Sequence, residues 1–166
     1  MKNNIVLIGM PGVGKSTIGV ILAKELGYHF LDSDLLIQQE EKSLLKEIIS
    51  KKGVEAFLSI ENQVNQKIQV DHCVIATGGS AVYGKEAMEH FKEIGDIIYL
   101  HSSYEILSKR LGNLKNRGVV LRDGQTLYDI YLERNILYRQ YADLIIDEND
   151  LGIEDTLQLI MESIQI

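Results

Sequence analysis

Gly9-Met-Pro-Gly-Val-Gly14-Lys15-Ser16-Thr17 is the stretch that decides the fold. It matches G-x-x-x-x-G-K-[ST] in full, the pattern of a loop that cradles phosphate groups. Its flanks matter as much as the pattern. Ile5-Val-Leu-Ile8 is a short apolar, β-branched run and reads as a buried strand. Beyond Ser16, Ile18, Ile21, Leu22 and Leu26 recur at helical spacing until Gly27 closes the pattern. Strand, glycine loop and helix is the setting the motif requires. Gly9, Gly12 and Gly14 let successive N–H groups face one concavity, and the helix that follows points its positive end at the same place. Gly12, Val13, Gly14, Lys15, Ser16 and Thr17 are therefore the candidate nucleotide-binding residues. Lys15 would reach the β- and γ-phosphates, and the Ser16 hydroxyl would bind Mg²⁺.

Working outward, short apolar runs alternate with longer helical patterns. Strands are expected over residues 28–31, 73–77, 96–100 and 144–146. Helices are expected over 43–52, 54–68, 85–94, 104–111, 127–141 and 153–164, with Gly53 breaking the first two and Gly95 ending the third. Strands joined through helices imply right-handed crossovers and a mostly parallel sheet covered on both faces. Ligands in such sheets gather at the carboxyl ends of the strands. That rule selects the phosphate loop, Asp32-Ser-Asp34, Thr77-Gly-Gly-Ser80 and the residues after Leu100. Residues 112–126 differ, with three glycines, Lys115, Arg117, Arg122 and little periodicity. They read either as a solvated surface loop or as a mobile lid that brings a cation over the γ-phosphate and excludes water.

The bulk numbers narrow the class. A chain of 166 residues is expected to form one domain with a full core. The net charge of −7 argues against a nucleic-acid partner. Cys73 lies in an apolar run and reads as a core residue; a lone cysteine suits a reducing cytoplasm. No signal pattern or apolar run of membrane-spanning length appears, so a cytoplasmic protein without a membrane partner is expected. Nothing in the chain demands a partner subunit, and a monomer is expected.

Taken together, the chain resembles shikimate kinase, a small member of the nucleoside-monophosphate-kinase-like P-loop fold. The resemblance runs from the N-terminus to about Asp143. It rests on Gly9–Thr17, Phe30-Leu-Asp32-Ser-Asp34, Phe57 with Glu61, Ile75-Ala-Thr-Gly-Gly79, Arg117, Arg134-x-x-x-Tyr138 and Ala142-Asp143. It implies a three-layer α/β/α domain with a five-stranded parallel sheet of order 2-3-1-4-5. It also implies an acceptor-binding region near residues 33–61 and a mobile lid near 112–126. The implied reaction is transfer of the ATP γ-phosphate, with Mg²⁺, to a hydroxyl of shikimate, a step of aromatic amino acid biosynthesis.

Residue roles follow from the same resemblance. Asp32 would lie near the magnesium through water. Asp34 would hold the acceptor hydroxyl and take its proton, with Lys15 and Arg117 as the other catalytic candidates. Helix capping is the plainer use of Asp32 and Asp34. Gly78, Gly79 and Ser80 would approach the acceptor closely. Arg110 would stack on adenine, or simply be a solvated helix-end arginine. Arg134 would grip the acceptor's carboxylate, or form a structural salt bridge. Three positions depart from the family pattern: Leu58 replaces an arginine that pairs with Arg134, Ser80 replaces the third glycine of the turn, and Arg117 is followed by Gly-Val-Val120 rather than by proline and leucine. Losing the charge-assisted partner at 58 removes a contact worth about 1.5–3 kcal/mol. A different small hydroxylated acceptor, or a relative that binds nucleotide without catalysis, are the alternatives this leaves.

Overall fold

The computed structural model describes residues 2–112 and 118–164. Its centre is β1 (Asn4–Ile8), whose five residues are all buried. β1 pairs with β3 (Cys73–Ala76) on one side, with Val6 opposite Ile75, and with β4 (Gly95–His101) on the other, with Leu7 opposite Ile98. β2 (His29–Asp32) and β5 (Leu144–Asp147) form the two edges, giving a fully parallel sheet of order β2-β3-β1-β4-β5. That is the order the resemblance implied. Apart from Asn4, β1 is apolar, as are β3 and Ile97–Leu100 of β4, because helices cover both faces of a parallel sheet.

The helices close the crossovers. α1 (Lys15–Leu26) buries Ile18, Leu22 and Ala23 and stops at Gly27, whose φ of 69° lets its N–H turn back to the last carbonyls. α5 (Lys85–Ile94), α6 (Tyr104–Leu111), α7 (Leu127–Tyr141) and α8 (Ile153–Ile164) have the bounds that periodicity predicts. Thr126 and Asp129 cap α7 reciprocally, which pins its start. Among the described residues, no helix is long and apolar enough to cross a membrane.

Between β2 and β3 the chain builds α2 (Ser33–Glu41), α3 (Leu45–Lys52) and α4 (Val54–Gln66) around a small second core of Ile37, Ile48, Phe57, Val64 and Val120. Here the structure corrects the sequence reading. Periodicity missed α2, because Ser33 and Ile37 are its only buried residues and its second half is polar. α3 starts at Leu45 instead of Ser43, whose hydroxyl donates to Glu47 at 2.9 Å and stays outside the helix. α4 ends at Gln66 instead of Ile68, which leaves the helix to pack into the main core. A 3₁₀ turn at Ala81–Tyr83, also unforeseen, follows Ser80.

Candidate active site

The phosphate loop connects β1 to α1. Gly12 and Gly14 take φ of 79° and 104°, the left-handed region that glycine alone enters freely. Lys15, the first residue of α1, is 7% exposed and donates from Nζ to Gly9 O at 2.7 Å and Met10 O at 2.8 Å. Burial lowers its ammonium to about 8, with the negative charge of Asp34 opposing that shift. The Ser16 hydroxyl donates to Asp32 Oδ2 at 2.8 Å. Asp32 Oδ1 meanwhile accepts from the N–H groups of Asp34 at 3.0 Å and Leu35 at 3.4 Å. The capping reading of Asp32 is therefore correct, and its second oxygen still faces the loop.

A cavity of about 340 Å³ opens above the carboxyl ends of β1 and β3. Gly12, Gly14, Lys15, Ser16 and Thr17 line one side; Asp34, Gly78, Gly79, Ser80 and Arg134 line the other. Burial, helped by the charge of Asp32 and opposed by Lys15, pushes the Asp34 carboxyl up to about 6. The two sides are locked together at Gly79. A Cβ there would come within 2.6 Å of Pro11 Cδ, so the acceptor-side turn and the phosphate loop meet at a distance only glycine permits. The Tyr138 hydroxyl of α7 donates to Gly79 O and holds the same turn from behind.

Arg134 comes from one turn earlier on α7. It is 1% exposed, and its Nη2 donates to Val120 O at 2.8 Å. Its guanidinium also stands 5.4 Å from the centre of the Tyr83 ring, and its Nε donates to the Tyr83 hydroxyl at 3.4 Å. A main-chain carbonyl and a tyrosine thus hold it, in place of the carboxylate that the salt-bridge reading called for. Val119 and Val120 roof the cavity. Arg122, farther along that segment, pairs with Glu55 of α4 at 2.8 Å and Glu133 of α7 at 3.7 Å. Arg117 and Lys115 lie outside the described residues. At the Leu58 position the cavity wall is Phe57, while Leu58 packs on the small second core.

A second cavity, about 210 Å³, shares Gly14 and Thr17 with the first. Arg110, Glu148, Ile153 and Thr156 line it, and Arg110 Nη1 donates to Gly12 O at 3.3 Å. Arg110 remains an exposed helix-end residue, with one N–H of its guanidinium reaching the loop. Glu148 belongs to the acidic stretch Asp147–Asp150, which the sequence offers as structural or as an edge of the adenine pocket, with no role assigned to Glu148 itself. It follows β5, so the strand-end rule could have found it. Burial raises its carboxyl to about 7, with Arg110 opposing.

Glu61 of α4, 2% exposed, was also without an assigned role. Its Oε1 accepts from the Ser80 hydroxyl at 2.7 Å. Burial raises this carboxyl from 4.5 to about 8; the Ser80 hydroxyl opposes and the Asp34 charge adds. The folded protein therefore binds the Glu61 proton more tightly than the unfolded chain. The stability this contributes is full below pH 4.5 and is lost as pH climbs through about 8. Glu61→Gln is expected to gain melting temperature relative to wild type as pH rises from 5 to 9. A difference that stays constant across thermal melts in that range would contradict a neutral Glu61.

The donor set suits a magnesium nucleotide. The Ser16–Asp32 pair offers one hydroxyl and one carboxylate, the sparse protein ligation typical of Mg²⁺ carried by substrate phosphates. Among the described residues, no group of three His, Cys, Asp or Glu side chains could hold a metal by itself.

Comparisons with known proteins agree with this geometry. The family model described as shikimate kinase matches residues 11–165. Shikimate kinase 2 of Yersinia pseudotuberculosis is 32% identical over 172 residues, covering 96% of this chain and 97% of that protein. The structure of shikimate kinase from Acinetobacter baumannii in complex with shikimate superposes with a TM-score of 0.89 at 33% identity, over 98% of this chain and 93% of that one. Shikimate kinase from Aquifex aeolicus superposes at 0.82 with 27% identity, over 98% and 96%. With the phosphate loop, the acceptor-side turn and the sheet order all in agreement, the chain belongs to the shikimate kinase family.

Proposed function

We propose that the protein transfers the γ-phosphate of ATP to a hydroxyl of shikimate, giving shikimate 3-phosphate and ADP. The observation that carries this reading is the single cavity lined on one side by the phosphate loop and on the other by Asp34, Gly79 and Arg134. Such a cavity holds donor and acceptor side by side, and positioning is most of what phosphoryl transfer demands of a protein.

In this reading the adenine lies in the second cavity against Arg110, and the phosphates follow Gly12–Thr17 into the first. Lys15 leaves its loop carbonyls and donates to the β- and γ-phosphates. Arg134 pairs with the acceptor's carboxylate, which turns one hydroxyl toward Asp34. That hydroxyl oxygen bonds to the γ-phosphorus as the bond to the β,γ-bridging oxygen breaks. Asp34 takes the hydroxyl proton, and ADP leaves. Ser16, and Asp32 through water, would hold a magnesium ion, which would supply neutralisation of phosphate charge. By the family resemblance residues 112–126 would serve as the lid and Arg117 would supply charge to the transferred group, while residues 33–61 form the acceptor region. All these residues belong to one chain, which supports a kinase that works as a single domain and a monomer. ADP release coupled to NADH oxidation tests the reading. ATP and shikimate together are expected to give turnover well above ATP alone, and no shikimate-dependent ADP would overturn the assignment.

A further inference from the structure

The wall of the cavity at the acceptor-side turn holds a polar pair that the proposed reaction leaves unused. Ser80 lines the cavity and is 5% exposed. Glu61 lies directly behind it, not on the cavity surface but 2.7 Å from the Ser80 hydroxyl. Among the described residues the other oxygen of Glu61, Oε2, is buried without a hydrogen-bond partner. A Cβ built on Gly78 would meet that oxygen at 2.8 Å and Asp34 Oδ1 at 2.5 Å. Both carboxyl groups therefore converge on one face of Gly78, next to the place where Asp34 meets the cavity. An unpaired polar oxygen so deeply buried is costly and calls for an explanation beyond packing.

We propose that Ser80, oriented from behind by Glu61, is a specificity-determining residue of the acceptor pocket, its hydroxyl bonding an acceptor oxygen beside the group Arg134 holds. The inference rests on the kinase reading above and names one further determinant of the same site. Arg134 is the only cation among the described residues lining the acceptor side of the cavity. A neutral donor near it adds direction to carboxylate recognition without a second charge.

Glu61 is faced by Asp34 from α2, Arg134 and Tyr138 from α7, and Ser80 from the turn. Lys15 balances Asp34. With its carboxyl pushed up to about 8, chiefly by burial, Glu61 is protonated at neutral pH. A protonated Glu61 can donate to Ser80 Oγ, which frees the Ser80 hydrogen to point into the cavity. An ionised Glu61 takes that hydrogen back. Glu61 thus acts through Ser80 and is a positioning residue.

The test is calorimetric titration of the full chain with shikimate in the presence of MgADP, alongside steady-state kinetics. Ser80→Ala is expected to weaken shikimate binding by about fivefold to tenfold, the loss of one neutral hydrogen bond. MgADP affinity should stay within about twofold, since the Ser80 hydroxyl bonds to Glu61 and not to the phosphate loop. Glu61→Gln keeps a donor for Ser80 and is expected to weaken binding less than Ser80→Ala. The double variant should be no weaker than Ser80→Ala alone, because the two act in series. Wild-type affinity for shikimate should fall above about pH 8 and that of Glu61→Gln should not. If Ser80→Ala melts early, Ser80→Gly is expected to give the same loss. Unchanged shikimate affinity in both Ser80 variants, or an equal loss of MgADP affinity, overturns the proposal and leaves the kinase reading intact. Absence of shikimate binding by the wild type overturns both.

Discussion

Lys15→Met is expected to lower kcat by about two to three orders of magnitude, the cost of deleting one preorganised donor aimed at developing charge. Methionine matches the length of the lysine stem, so the loop should keep its shape and the helix its start. The loss should fall mainly on kcat, because the main-chain N–H groups of Gly12–Thr17 still bind the phosphates before transfer. Two features of the structure sharpen the expectation. Lys15 is the cation on the donor side of the cavity and is held on Gly9 O and Met10 O, within its own loop. Its ammonium is already lowered to about 8 by burial, so its charge is poorly solvated and gains from a phosphate partner. Single-turnover measurement with saturating MgATP and shikimate separates the chemical step from binding. A kcat within tenfold of wild type would show that Lys15 does not bear on the transferred phosphate.

Asp34→Asn is the second large effect, with kcat expected to fall by about 10²–10⁴, the usual range for a positioned proton acceptor. The amide keeps the shape of the carboxyl, so shikimate binding should survive where turnover does not. The pH dependence carries the sharper test. Burial first, and Asp32 second, raise Asp34 to about 6, with Lys15 opposing. The carboxylate must be ionised to accept from the acceptor hydroxyl, so kcat/KM should be full above pH 6 and fall as the solution is acidified below it. Asparagine at 34 should remove that acid limb. A wild-type profile flat down to pH 5 would mean either that Asp34 ionises more easily than its surroundings suggest or that it does not take the proton.

Much of the fold was legible because its signals are local. The phosphate loop carries its own strand, glycines and helix within a run of consecutive residues. α5, α6, α7 and α8 bury faces wide enough to set their bounds by periodicity alone. α2 escaped because it borrows stability from elsewhere. Asp32 caps it while also facing Ser16, and it presents only Ser33 and Ile37 to the interior. The second core it helps to form draws on Val120, more than 80 residues away in sequence, and no window of local pattern reaches that far.

The candidate site divides along the same line. The donor-side residues were legible because a phosphate loop binds through its backbone, and a backbone conformation is written in glycine spacing. On the acceptor side, the residue types at 34, 78, 79 and 134 could be named from the sequence, but not what holds them. Arg134 could be read as a salt bridge, yet it is fixed by Val120 O and Tyr83. Ser80 looked like a bare departure from a glycine, and its partner proves to be Glu61.

By itself, then, the sequence determined the phosphate loop, the sheet order implied by the family resemblance, and the class of donor. Only the tertiary structure decided that Glu61 stands behind Ser80, that Pro11 touches Gly79, and that Arg134 is buried beside the roof of the cavity. The physical reason is the range of the forces that specify each. Backbone conformation and helical periodicity are set by near neighbours in the chain. The protonation and orientation of a buried side chain depend on whatever charges and carbonyls folding brings within a few ångströms of it.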